Sequence, residues 1–220
     1  MKIQHFLFPI LLLAISAVSF AADKEVEELL AKMRETYKTT KSAKFTTTTR
    51  IFGDEGEQKA DVEVQFKNPN KVKLTLDGMF GIPGKISIIS DGKKIQSEVM
   101  GEKDTGPFTV EALSEGSPLN LETLCFWDYE RQLSTGESGN MKTSTFKLLK
   151  DESWDGKKWT VLEETAKEQG VFVRYWIDPK TNYIWRTEVK SLEGDTPVME
   201  CKISKLEIGV EIDDKVFEIN

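Results

Sequence analysis

The chain has 220 residues, 39% of them hydrophobic, and its 37 acidic against 30 basic side chains give a net charge of −7. That length is enough for one domain with a sizeable core. An acidic chain with scattered lysines exerts no electrostatic pull on nucleic acid or anionic headgroups, so nucleic acid is not an expected partner.

At the N-terminus Lys2 precedes an apolar run over 6–20, and Ser19-Phe20-Ala21 puts small residues at the two positions a signal peptidase reads. The run of about fifteen residues is shorter than the roughly 20 that cross a bilayer as a helix. Residues 1–21 therefore read as a cleaved signal peptide, and 22–220 as a single exported domain. No Cys lies near the junction to take a lipid anchor. Cleavage would remove Lys2 and the only histidine, His5, leaving 199 residues with 29 basic and 37 acidic side chains.

Val26, Leu29, Leu30, Met33 and Tyr37 recur at helical spacing among Glu and Lys, which predicts an amphipathic helix over 23–40. The period then changes to two. Phe45 opens a Thr-rich strand to Phe52, which ends in the loop Gly53-Asp54-Glu55-Gly56. Ala60, Val62, Val64 and Phe66 alternate with polar residues, Asn68-Pro69-Asn70 turns the chain, and Val72, Leu74 and Leu76 alternate on the return. Segments 86–90 and 95–100 form a second hairpin through Asp91-Gly92. A short helix is predicted over 108–113. A longer one starts at Ser117-Pro118, an N-cap with Pro at the first helical position, and runs to about Leu133. Leu121, Leu124, Cys125 and Tyr129 share one of its faces, with Phe126 and Trp127 partly off it. Strands are predicted again over 145–150, 158–165, 171–177, 184–192, 198–208 and 216–219, joined by tight turns such as Asp155-Gly156. Strands linked in this way form an antiparallel sheet, and the class is α+β.

Without His5 the exported chain has no Ser-His-Asp or Cys-His nucleophile, no His-ligated zinc and no imidazole base. Cys125 and Cys201 lie 76 residues apart, which fits neither a redox Cys-x-x-Cys nor a four-thiolate metal set. They can form a disulfide in an oxidising compartment, stabilising by roughly 4 kcal/mol in the chain-entropy model, or be two buried small apolar side chains. No phosphate loop or dinucleotide fingerprint occurs. The acidic loop Asp54, Glu55, Glu57 lacks EF-hand spacing, and no carboxylate pair is singled out for glycosidase chemistry. The expectation is a non-catalytic protein with no cofactor and no metal.

Trp154, Trp159, Trp176 and Trp185 all fall on or beside the later strands. Val171, Val173, Tyr175 and Ile177 share one face of their strand, and Phe172 and Trp176 the other. So much apolar surface exceeds what two or three helices cover, and a cavity for an apolar ligand would account for it.

A leader, an amphipathic helix, a long antiparallel meander, a helical insertion and further meander occur in the order found in the periplasmic lipoprotein carrier LolA and its superfamily, which this chain resembles. Val64-Gln65-Phe66-Lys67-Asn68-Pro69-Asn70-Lys71-Val72 looks like the family's strand ending in a basic residue, Pro and Asn. Ile88-Ile89-Ser90-Asp91-Gly92-Lys93-Lys94 is similar to its strand and turn, and Trp176-Ile177-Asp178-Pro179 through Asp213-Asp214-Lys215-Val216-Phe217 to its closing strands. The resemblance implies a curved, unclosed antiparallel half-barrel whose concave face is lidded by helices over a cavity for acyl chains. It implies a periplasmic, monomeric carrier of lipids or lipoproteins serving membrane-bound donor and acceptor proteins in outer-membrane biogenesis. Leu121, Leu124, Phe126 and Trp127 would contact the ligand from the lid, and Val64, Phe66, Val72, Leu74, Ile88, Val173, Tyr175 and Trp185 from the sheet. At about 0.8 kcal/mol per CH₂, an acyl chain of roughly fifteen carbons supplies about 12 kcal/mol before ordering costs. The family's Arg before the Pro-Asn pair, linked to cargo transfer, is Asn68 here, beside Lys67. Other readings are an RseB-type lipid sensor acting through a protein partner, a carboxylate-pair hydrolase, and a filled-core envelope protein.

Overall fold

The computed structural model describes residues 8–53, 56–79, 82–109, 112, 144–167, 170–194 and 196–219, with the backbone alone for 8–23, 77–79 and 82–83. Helix α1 (Phe8–Thr39) runs without a break from the N-terminal apolar run into the amphipathic stretch. The predicted start at Asp23 is therefore too late. Leu- and Ala-rich sequence favours helix, and Pro9 lies in the first turn, where its missing N–H costs no hydrogen bond. At the other end Thr39 Oγ1 donates to Glu35 O at 2.8 Å and Thr40 Oγ1 to Thr36 O at 2.8 Å, which satisfies carbonyls the helix leaves open.

Twelve strands follow: β1 (Ser42–Gly53), β2 (Gly56–Lys67), β3 (Lys71–Met79), β4 (Ile82–Asp91), β5 (Lys94–Val99), β6 (Glu102–Pro107), β7 (Ser144–Leu148), β8 (Glu152–Trp154), β9 (Lys157–Ala166), β10 (Val171–Ile177), β11 (Ile184–Ser191) and β12 (Pro197–Ile208). They form one sheet in the order β6-β5-β4-β3-β2-β1-β12-β11-β10-β9-β7, with β8 paired to β9 off that path. Every neighbouring pair is antiparallel, and β6 and β7 at the two ends are not joined, so the sheet is unclosed. The fold is α+β: one large antiparallel sheet and, among the described residues, one substantial helix.

Turn chemistry sets the hairpins. Asp91 Oδ1 accepts the Lys93 and Lys94 N–H groups at 2.7 and 2.8 Å, which shapes the β4–β5 turn. Gly92 in that turn has φ 94°, and a Cβ there would lie 3.2 Å from Pro69 O, so the position needs glycine twice over. Asp155 and Gly156 have φ 52° and 70°, the positive pair that a two-residue β8–β9 turn requires.

The structure departs from the sequence reading at several places. Strands β6 and β8 carry no apolar alternation, so nothing local announced them; β6 is held by its pairing with β5. Phe108 does not begin a helix, because its N–H donates to Lys93 O at 2.8 Å and extends the sheet ladder. Of that segment Thr109 is not helical and Ala112 is, while residues 110, 111 and 113 lie outside the described ones. The helix predicted over 117–133 also lies outside the described residues. The closing strand over 216–219 is instead a 3₁₀ turn, Asp214–Phe217. Asp213 caps it by accepting the Lys215 N–H at 3.0 Å, and Phe217 is buried.

The main core lies between α1 and one sheet face. Val26, Leu30, Met33 and Tyr37 on the helix pack in one cluster with Phe45, Val64, Leu74 and Ile88 on the strands. Tyr37 also fixes the helix in place: its hydroxyl accepts the buried Ile184 N–H at 3.0 Å, and its ring meets Tyr183 edge-on at 5.5 Å. Thr40 and Tyr183 share a hydroxyl–hydroxyl bond of 2.8 Å beside it. Tyr37→Phe keeps the ring but orphans the Ile184 N–H, so urea unfolding should show a loss of about 1–3 kcal/mol. A second clamp holds the C-terminus. Asp214 receives Lys67 Nζ at 2.6 Å and Lys71 Nζ at 3.2 Å, and those bonds hold its carboxyl below the usual range. A depressed folded-state value means the clamp stabilises above the unfolded carboxylate pKa and is lost as pH falls through the folded one. The stability difference between wild type and Asp214→Asn should therefore be present at pH 7 and vanish in acid, as measured by denaturant titration across pH.

Candidate functional site

Cross-strand register decides which side chains share a face. Phe45 stands opposite Val64, Val64 opposite Leu74, Leu74 opposite Ile88 and Ile88 opposite Ser97. This row crosses the sheet under α1. Ser97 in turn faces Asp104 on the edge strand, so the row passes from fully buried to exposed.

Five of the sequence-predicted sheet residues, Val64, Phe66, Val72, Leu74 and Ile88, are buried together in the cluster beneath α1. Tyr175 belongs to the same cluster, and Val173 and Trp185 pack against it partly buried. Trp185 also touches the smaller cluster on the opposite face, formed by Trp159, Val161 and Trp176 with Leu149 and Trp154. Much of the tryptophan surplus is therefore core for that second face. Trp154 stacks on Trp159 at 4.3 Å, and Arg186 and Lys202 cover the Trp176 and Trp154 rings at 4.2 and 4.5 Å. The lid residues Leu121, Leu124, Phe126 and Trp127, and with them Cys125, lie outside the described residues.

Where the α1 face reaches β5 and β6 it opens into a groove of about 400 Å³. Ile88, Ile95 and Ala112 are its apolar walls, and Ser97, Asp104 and Thr109 its polar ones. Of the predicted site residues that are described, Ile88 alone lines it. Ile95 and Ser97 fell on a segment read as the return strand of a hairpin, but its second partner, β6, was not predicted, so the neighbours on that side were unknown. Asp104 could not be placed from an all-polar stretch.

On the other half of the sheet Glu164 is buried, 6% exposed. Ser144 Oγ donates to its Oε1 at 2.7 Å and the Tyr175 hydroxyl to its Oε2 at 2.6 Å. A carboxylate taken from water this far needs such donors. The alternation Leu162, Glu164, Ala166 already placed it on an inward face, and that signal went unused. Cys201 lies on the inward face too, buried, with Thr47 Oγ1 at 2.8 Å from its sulfur. Burial pushes its thiol up, away from the reactive thiolate. Asn68, the position where the carrier family has Arg, is exposed in the β2–β3 turn, with its N–H donated to Lys41 O at 2.8 Å. The neighbouring Lys67 is engaged with Asp214 and with Ile212 O at 3.2 Å. Among the described residues no group of three His, Cys, Asp or Glu could hold a metal ion, and no helix is long and apolar enough to cross a membrane.

No family model and no curated protein matches this chain. Solved structures match it in fold. An uncharacterized conserved protein of Thermus thermophilus aligns over 89% of this chain and 94% of its own, with a TM-score of 0.54 and 10% identity. The lipoprotein LppX of Mycobacterium tuberculosis aligns over 87% and 100%, with a TM-score of 0.51 and 14% identity. MucB aligns over 90% of this chain and 63% of its own, with a TM-score of 0.49 and 11% identity, so this chain spans less than two thirds of that protein. At such identities the likeness is one of fold alone, and no single member of that fold group is picked out.

Proposed function

We propose that the protein is a non-catalytic periplasmic carrier that takes acyl chains of lipids or lipoproteins onto the α1-covered face of its sheet. The observation that carries this reading is the groove of about 400 Å³ between β4, β5 and β6, whose floor continues into the apolar row Ile88, Leu74, Val64, Phe45. Its size falls within the roughly 300–1,000 Å³ of small-molecule sites. An acyl chain entering there would exchange water for a surface already built of Ile, Leu and Val. In this reading the helix predicted over 117–133 supplies the lid, with Leu121, Leu124, Phe126 and Trp127 against the chain. Ligand leaves by opening that lid toward membrane-bound donor and acceptor proteins.

Organic extraction of the protein purified from a periplasm, followed by mass spectrometry, should release stoichiometric acyl lipid. Ser97→Trp fills the groove from a half-buried position and should lower the recovered lipid several-fold with an unchanged circular dichroism spectrum. Leu74→Glu should abolish recovery, though at the risk of the fold. Lipid-free protein that also fails to bind an uncharged apolar fluorophore would exclude the carrier reading.

A further inference from the structure

The edge hairpin of the groove separates its charges by face. Register puts Ile86, Ile88 and Ser90 on the same side as Ile95, Ser97 and Val99, and these on the same side as Glu102, Asp104 and Gly106. Lys94 and Lys103 alternate onto the opposite side. The lip of the α1-covered face therefore carries two exposed carboxylates, Glu102 and Asp104, and Asp104 lines the groove itself. Among the described residues neither carboxylate forms an ion pair.

The imbalance extends inward. From β1 to β6 the residues sharing this face include no Lys or Arg: Ala43, Phe45, Thr47 and Thr49 on β1, Ala60 to Phe66 in alternation on β2, then Val72, Leu74 and Leu76. Farther along the sheet the charged group buried with the same cluster is Glu164, another carboxylate, bonded by hydroxyls and by no described cation. Glu102 and Asp104 thus make the mouth negative, and the low-dielectric wall beside them strengthens their effect on a bound charge.

We infer that the groove selects amphiphiles whose polar end is an ammonium or amide N–H donor, and discriminates against free fatty acids and anionic phospholipids. This rests on the acyl-binding reading above and adds a headgroup class to it. The acyl chain lies against Ile88 and Ile95, and the polar end stops at Asp104 and Glu102, where it gains a hydrogen bond or opposite charge. A carboxylate or phosphate end would meet two like charges at the same place and lose affinity.

The test uses one chain length with four ends. Dodecylammonium, N-dodecylacetamide, dodecanol and dodecanoate, each below its micelle concentration, compete for the protein against the uncharged fluorophore N-phenyl-1-naphthylamine. Dodecylammonium should displace it at about tenfold lower concentration than dodecanoate at low salt, with the gap shrinking in about 0.5 M salt. The amide arm separates hydrogen bonding from charge: N-dodecylacetamide ahead of dodecanol shows that an uncharged N–H is read. The double variant Glu102→Gln, Asp104→Asn, on an exposed edge strand, should bring the ammonium and the carboxylate within about threefold of each other. Equal displacement by all four, a lead for dodecanoate, or a preference that survives the double variant would overturn the inference and leave acyl binding standing. No uptake of the fluorophore and no displacement would overturn both.

Discussion

The structure depends on covering one wide apolar sheet face, and α1 does this with a single stripe. A sheet of this width buries its own backbone bonds strand to strand, but its side chains need a second layer. Leu30, Met33 and Tyr37 are each at most 1% exposed and share one buried cluster with Phe45, Val64 and Leu74 of the strands. Apolar packing of this kind has no preferred direction, so it does not by itself fix where along the sheet the helix lies. The directional part comes from Tyr37, Thr40 and Asn182, whose hydrogen bonds join the last turns of α1 to the β10–β11 hairpin. Dispersion and burial hold the layer together, and these few polar contacts set its register.

The opposite face solves a different problem. Near β8 to β11 it has its own aromatic cluster with no helix above it among the described residues, and long cationic side chains cover the rings. Lys157 lies over Trp185 at 5.0 Å, Arg186 over Trp176, and Lys202 over Trp154. In each pair the charged head itself lies over the indole face, where the ring's negative quadrupole attracts it. Farther along the same face Arg186 links Glu188 and Glu200, and Arg50 links Glu200 and Glu57, a run of paired charges that solvates the strands. The two faces are thus chemically unlike: one apolar and poor in cations, the other basic, acidic and aromatic in close alternation. That difference is why a groove opening on the first face has a distinct character, although the chain as a whole is only moderately acidic.

Much of this was legible residue by residue. The stripe Val26, Leu30, Met33, Tyr37 named the covering helix, and alternation from Ala60 to Leu76 named the strands and their inward side chains. Asp91-Gly92 and Asp155-Gly156 marked hairpins whose positive φ angles the structure bears out. The groove was less legible. Ile88 belonged to a clear pattern, whereas Ser97 and Asp104 owe their place to β5 and β6 being the end of the sheet, and the polar strand β6 had no periodicity to read. The tryptophans pointed to surplus apolar surface, but alternation could not tell a ligand cavity from a second cluster roofed by lysine and arginine side chains.

The sequence by itself determined what depends on neighbours within a few positions, namely the helix stripe, the strand periodicity and the turns, and it holds a single histidine, His5. Tertiary structure decided what depends on residues far apart in sequence. Strand β1 lies between β2, its immediate successor, and β12, with Thr49 opposite Cys201, and no local pattern specifies that second partner. Glu164 became a buried carboxylate only because Ser144 and Tyr175 arrive from β7 and β10 with hydroxyls to donate. The closing segment became a 3₁₀ turn because Asp213 caps it and Lys67 and Lys71 hold Asp214. Periodicity records how a segment presents its faces; which surface meets each face is set by long-range pairing, whose free energy is shared among residues that local sequence never brings together.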